Sequence, residues 1–258
     1  LTLDGQDRKM YMKRTIKYGN RIEVRKYHTF RCPGKGERAR GERKQPTKEQ
    51  MAAANERRAV KKLKMLMIEN FGAGDWHLVL TYAKDNRPDA TGCRKLLRKF
   101  FERCRKLYRA AGVPLKYIMV TEWEAKAIHH HIVISDIPGI HRVLQEIWKE
   151  GGIHLTPLYQ NKEFDDLAEY LTKETRKTFQ RSDSPMKQRW TCSRNLKRPE
   201  VHTEQVNAGS WKEEPSVPKS LEQEGYVLDK TSIVADVDAM GYPFQEYTMI
   251  RYEKERRR

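Results

Sequence analysis

The chain has 258 residues, 38% of them hydrophobic, and carries 52 Lys and Arg against 35 Asp and Glu, a formal charge of +17. That length buries a sizeable core with extensions around it, and a positive excess spread along the whole chain points to a polyanionic partner. No apolar run reaches the ~18–20 residues of a membrane span, and the opening LTLDGQDRKM lacks a signal-peptide apolar segment, so a soluble protein that is not exported is expected. Cys32, Cys93, Cys104 and Cys192 are widely spaced and form no CxxC pair, so they read as reduced thiols and not as a structural zinc site.

Residues 11–28, YMKRTIKYGNRIEVRKYH, hold β-prone runs on either side of Gly19 and Asn20, the residue chemistry of a tight hairpin turn. The next stretch, RCPGKGERARGERKQP, is basic and poor in apolar residues and reads as a flexible loop. Thr47 and Gln50 have capping-box spacing, and a long basic helix is expected from there to Asn70, ahead of the breaker FGAGD.

From Trp76 strand and helix patterns alternate. WHLVLTYA reads as a buried strand, CRKLLRKFFERCRKLYRAAG as an amphipathic helix ending near Gly112, and KYIMVTEW as a second strand. HHHIVIS is a third strand, joined to the second by a short turn around Ala125 to Ile128. IHRVLQEIWKE gives a short helix, GIHLTPLY a fourth strand and EFDDLAEYLTKETRKT a last helix. The order βαββαβα defines an α+β fold, the ferredoxin-like split βαβ arrangement with an added helix. Past Phe179 the pattern weakens into a basic arm, and EGYVLDK and FQEYTMIRYE flank the turn-prone MGYP as a C-terminal β hairpin. The expected division is a basic hairpin, loop and helix over 1–72, the central domain over 73–180, and an arm with a β extension over 181–258. No internal repeat is present, and no GxxxxGK[ST] phosphate loop, so any unwinding is expected to depend on a separate helicase.

Successive side chains of a strand point to opposite faces, so His129 and His131 project together while His130 points away. The preceding strand ends VTEWE, and in a hairpin Glu122 or Glu124 can reach the same face. Two imidazoles and a carboxylate with open positions suit Mg²⁺ or Mn²⁺ beside a phosphate, and the same set would also take zinc. The bland alternative is a histidine that ends a strand and bonds to backbone.

Tyr170 and Lys173 lie three residues apart in EYLTKET and share a helix face. Phe164, Leu167, Ala168 and Leu171 form the apolar stripe, which leaves Tyr170 at its border with the ring anchored and the hydroxyl available. Attack by a tyrosine on a phosphodiester needs a stabilised phenolate, a polarised phosphate and a cation to offset charge, and Lys173 can supply the last. By itself YxxK arises readily by chance in a lysine-rich chain with 12 tyrosines. Placed after LVLTY and the Glu–HxH hairpin, it completes an ordered constellation.

That order resembles the HUH endonucleases, and among them the single-tyrosine rolling-circle replication initiators of small bacterial plasmids, phages and related elements. Their first motif, an apolar strand ending in Thr, is matched by Leu78 to Tyr82. Their His-hydrophobic-His motif is matched by His129 to His131, with a histidine where the family has an aliphatic residue. Glu122 fits best the place of the family's acidic third ligand, with Glu124 next, and Tyr170 with Lys173 matches the nucleophile motif. The resemblance covers about residues 74–178. It implies a nick of single-stranded DNA or an origin hairpin that depends on Mn²⁺ or Mg²⁺, with Tyr170 joined to the 5′ end and a 3′ hydroxyl released for a polymerase. It also implies a host helicase and polymerase as partners, and the cytoplasm of a bacterial host. The basic hairpin and the segments 31–64 and 176–198 are the expected phosphate tracks.

A single-tyrosine transposase or a mobilisation relaxase has the same chemistry. Larger relaxases set an N-terminal tyrosine ahead of three histidines, and single-tyrosine transposases are commonly shorter than this chain, so the initiator fits better. A non-catalytic nucleic-acid-binding protein of ferredoxin-like fold would carry aromatic pairs on its central strands, where this chain has histidines and aliphatics.

Overall fold

The structure, a computed structural model, describes residues 10–29, 47–124, 127–159, 164, 166–173, 188–207, 209–238 and 241–252. Strands β1 (Met10–Tyr18) and β2 (Arg21–Thr29) precede helix α1 (Lys48–Asn70). Then come β3 (Trp76–Leu80), α2 (Ala90–Ala110), β4 (Tyr117–Glu124), β5 (Ala127–Ile134), α3 (Ile140–Ile147) and β6 (Ile153–Pro157). Residues 166–173 are helical and are called α4. β7 (Thr191–Cys192), β8 (Glu200–Val206), the short α5 (Lys219–Gln223), β9 (Tyr226–Val237) and β10 (Pro243–Arg251) follow. The fold is mixed α+β with two antiparallel sheets, and the chain forms two compact units, one of residues 46–197 and one of both flanks, 1–45 and 198–258.

In the flanking unit the strand order is β8-β1-β2-β10-β9. β1 and β2 pair down to Tyr18 and Arg21, which leaves Gly19 and Asn20 as the connection. Gly19 sits at φ 51°, the left-handed region where a two-residue hairpin turn calls for glycine. Ile22, Val24, Tyr226, Tyr247 and Met249 form the core of one face, with Val217, Leu221 and Leu228 packed on it. The two flanks, read from the sequence as separate hairpins, share this one sheet: β2 runs beside β10 from Lys26↔Gln245 to Arg21↔Ile250. β8 closes the far edge against β1, where Lys13 and Glu204 pair at 3.0 Å.

The unit of residues 46–197 holds the split βαβ arrangement. Its sheet order is β6-β3-β5-β4-β7, and every pairing in it is antiparallel. The first crossover helix, α2, starts at Asp89, whose carboxylate accepts from the Gly92 amide at 2.7 Å. Its buried stripe Cys93, Leu97, Phe100, Phe101, Cys104 and Tyr108 follows helical spacing. That stripe joins Leu144 and Trp148 against Leu78, Leu80, Ile128, Ile132 and Ile134 in a single core. Each of the larger apolar side chains contributes about 1.5–3 kcal/mol on full burial. Cys93, Cys104 and Cys192 are free thiols, and Cys32 lies outside the described residues.

Helix α1 begins with the expected capping box: the Gln50 amide donates to Thr47 Oγ1 at 3.2 Å, and the Thr47 amide donates to Gln50 Oε1 at 3.0 Å. It ends at the buried Asn70, whose amide nitrogen donates to the Lys197 carbonyl at 3.0 Å while its Oδ1 accepts from the Lys197 amide at 2.8 Å. The stretch expected as a basic arm is therefore, in its described part, tied to this unit. β7 pairs with β4 through Ile118↔Cys192 and Met119↔Thr191, and Asn195 donates to the Leu115 carbonyl at 3.1 Å. The β4–β5 turn is tighter than expected, because pairing runs to Glu124↔Ala127 and leaves only residues 125–126, which are outside the described residues.

Candidate active site

Alternation along the strands sorts the sheet into two faces. Leu78 and Leu80 of β3, and Ile128, Ile132 and Ile134 of β5, point to the core under α2 and α3. By the strand period of two, His77 and Val79, Glu122, and His129, His131 and Val133 belong to the opposite face. Hydrophobic cover on one face thus forces the polar ligand-type side chains together on the other.

The β4–β5 register sets Glu122 directly across from His129, and Glu124 across from Ala127 at the end of the hairpin. Glu122 is the carboxylate that reaches the histidines. Its Oε2 lies 3.6 Å from His129 Nδ1 and 3.7 Å from His131 Nε2, so one oxygen faces both rings. The His131 side chain is 4% exposed and that of His129 36%, which gives the set a buried side and a solvent side.

Helix α4 supplies the next group. Phe164, Ala168 and Leu171 are buried, as the apolar stripe requires, and Thr172 Oγ1 donates to the Ala168 carbonyl at 2.8 Å. Tyr170 is 45% exposed, and its ring meets His131 edge to face with centroids 5.6 Å apart. Lys173, one helical turn on, is exposed. The candidate nucleophile and the candidate metal ligands therefore share one surface of the unit, with Tyr170 at the border of the stripe.

Two residues of this face carry a role that the sequence reading did not assign. His77 Nε2 lies 3.3 Å from His131 Nδ1, with the rings 15° from parallel. Burial first, then the neighbouring imidazoles of His131 and His154, lowers the His77 pKa to about 4. His154 is paired with Val79 on the edge strand β6. The signal was available in WHLVL, where Leu78 and Leu80 facing the core send His77 to the side of His129 and His131.

His130 goes the other way, as the strand period predicts. It is fully buried, its Nδ1 2.9 Å from Thr121 Oγ1 and its Nε2 3.0 Å from the Tyr82 hydroxyl. Burial, with the charges of His131 and His129 adding to it, lowers its pKa to about 3, so it is a neutral structural residue that braces the strand from behind. Tyr82 is consumed in that brace, and burial raises its pKa, which removes it as a nucleophile. The apolar strand motif ends in Thr81, whose hydroxyl accepts from the Gly152 amide at 3.0 Å and lies 3.2 Å from the Gly152 carbonyl. Gly151 makes that approach possible: a Cβ there would fall 2.4 Å from the Thr81 oxygen.

Two imidazoles and a carboxylate are the donor chemistry that Mn²⁺ and Mg²⁺ share with other divalent ions. Among the described residues no group of three His, Cys, Asp or Glu already closes into a metal cluster. An octahedral ion with ~2.1 Å bonds places adjacent donors about 3.0 Å apart, so the 3.6 and 3.7 Å spacings need a contraction within the reach of side-chain rotation. His129, His131 and Glu122 fit the ion by donor type and convergence.

A split βαβ sheet with a His-x-His strand, an acidic residue opposite it and a tyrosine helix over the same face is the architecture of the HUH class. Residues 75–179 match the family model of the replication-associated protein ORF2, and with that match this part of the chain belongs among the rolling-circle replication initiators of the HUH superfamily. The family ties the domain to replication initiation and to DNA as its partner. No curated protein and no solved structure matches the chain. No helix among the described residues is long and apolar enough to cross a membrane.

Proposed function

We propose that the chain initiates rolling-circle DNA replication as a metal-dependent, site-specific endonuclease and strand transferase acting on single-stranded DNA. The observation that carries this reading is the placement of the Tyr170 ring against His131, whose Nε2 faces the same Glu122 oxygen as His129. A divalent ion held by His129, His131 and Glu122 would polarise the scissile phosphate. Tyr170 Oη attacks the phosphorus, the O3′–P bond breaks, and the DNA 5′ end remains on the tyrosine as a phosphodiester. The released 3′ oxygen takes a proton and becomes the primer for a polymerase, and attack by a 3′ hydroxyl on the same linkage reverses the step. Lys173 offsets the negative charge that gathers on the phosphoryl oxygens in the transition state.

The supporting features are independent of one another: the ligand triad converges through strand register, Tyr170 and Lys173 share a helix face, and the +17 charge supplies attraction for DNA. The bacterial host cytoplasm and a host helicase and polymerase as partners belong to the same reading. Incubation of the full chain with single-stranded oligonucleotides and Mn²⁺ should give a covalent adduct that survives denaturation. Tyr170→Phe should abolish the adduct while leaving DNA binding in place, and Lys173→Ala should slow it. An adduct that persists in Tyr170→Phe moves the nucleophile elsewhere, with the 63% exposed Tyr159 the next to test. No adduct with any divalent metal would sink the enzymatic reading.

A further inference from the structure

We infer that His77 is a positioning residue for the proposed metal centre, accepting a hydrogen bond from His131 Nδ1 and so fixing the tautomer of His131 that leaves Nε2 able to bind a cation. The inference rests on the metal reading above for its purpose, but its geometry stands separately. His77 Nε2 and His131 Nδ1 are 3.3 Å apart, a pairing in which one nitrogen must carry the hydrogen and the other must accept it. His131 Nε2 is on the opposite side of its ring, 3.7 Å from Glu122 Oε2. If His131 carried its hydrogen on Nε2, that nitrogen would be a donor aimed toward the carboxylate and unable to act as a ligand. If it carries the hydrogen on Nδ1, His77 accepts it and the Nε2 lone pair faces the carboxylate side. Only the second state serves a metal.

The backbone makes this contact a fixed feature. Val79 pairs with His131 and His77 with Val133 in the β3–β5 ladder, so His77 and His131 are diagonal neighbours on one face. Leu78 and Leu80, fully buried on the other face, lock the strand against slipping by one residue, which would carry His77 into the core. Partners that orient a metal-bound imidazole through its second nitrogen are worth about 10–100-fold in metal affinity or activity when removed.

The test uses the full chain and two readouts. Nitrogen-15 NMR of the histidine side chains without metal should show His131 with its hydrogen on Nδ1, and a loss of that single tautomer in His77→Leu. Mn²⁺ titration followed by electron paramagnetic resonance should give a dissociation constant about 10–100-fold weaker in His77→Leu, with part of the loss restored in His77→Gln, whose amide oxygen can accept the hydrogen. The circular dichroism spectrum of each variant identifies any that fail to fold, and His77→Gln carries the comparison if His77→Leu does. A wild-type His131 with its hydrogen on Nε2, or unchanged Mn²⁺ affinity in a folded His77→Leu, overturns the inference. Failure of the wild type to bind Mn²⁺ removes the metal reading and with it the positioning role, whereas binding that is lost in His131→Ala but kept in His77→Leu rejects the role of His77 alone.

Discussion

At the scale of single residues, the three consecutive histidines have three different fates. His129 faces solvent beside Glu122, His131 faces the same carboxylate from a buried position, and His130 is enclosed between Thr121 and Tyr82 on the other side of the sheet. The family pattern has an aliphatic residue where this chain has His130, and the structure accommodates the imidazole by giving each ring nitrogen a hydroxyl. Both hydroxyls are needed, since a buried polar atom left without its partner costs about 1–3 kcal/mol. Thr121→Val keeps the shape of the side chain and removes only the oxygen. It should lower the stability of the 46–197 unit by about that amount, read as a shift in the urea midpoint, whereas a midpoint equal to wild type would show that the Thr121–His130 bond contributes nothing net. The facing of these residues was legible from strand alternation alone. What alternation could not supply was the identity of the partners, because Tyr82 and Thr121 reach His130 from two other segments of the chain.

At the scale of elements, the helices and long strands of the central unit were readable because each has one apolar side with the right period. α2 shows it most clearly, with a buried residue every three or four positions from Cys93 to Tyr108. β7 and β8 had no such signal. β7 is two residues long, and β8 is exposed at nearly every position, so neither alternation nor a continuous apolar run marks it. Their pairing is decided by the strand edge they lie against. Asn70 shows the same kind of long-range decision, since a polar residue at the end of α1 reads in sequence only as a helix stop. In the fold it accepts from and donates to the Lys197 backbone. Asn70→Leu should leave the buried Lys197 amide without its acceptor and cost about 1–3 kcal/mol. Hydrogen exchange should then rise first in residues 191–197, and protection that stays as in wild type would mean that β7 alone holds the segment.

At the scale of the whole molecule, the chain order places one unit inside the other. β1 and β2 precede the 46–197 unit, β8 to β10 follow it, and the flanking sheet needs strands from both sides of the interruption. This was not legible from local pattern, because the register that joins β2 to β10 links residues as far apart as Arg21 and Ile250. The inner unit is complete in the opposite sense: its sheet, its core helices and the residues of the candidate site all fall within 46–197, and the Asn70–Lys197 pair ties its last residue to the end of its first helix. The two units should therefore respond differently to truncation. Residues 46–197 expressed alone should give a dispersed NMR spectrum and a cooperative thermal transition, and should retain Mn²⁺ binding at His129, His131 and Glu122. Residues 1–197 should show the same signals for the inner unit while β1 and β2, left as a lone two-stranded ribbon that is at best marginally stable in water, lose their protection. A collapsed, uncooperative 46–197 fragment would mean that the inner unit depends on the flanking sheet for its stability, and would make the joined flanks part of the folding of the site and not an addition to it.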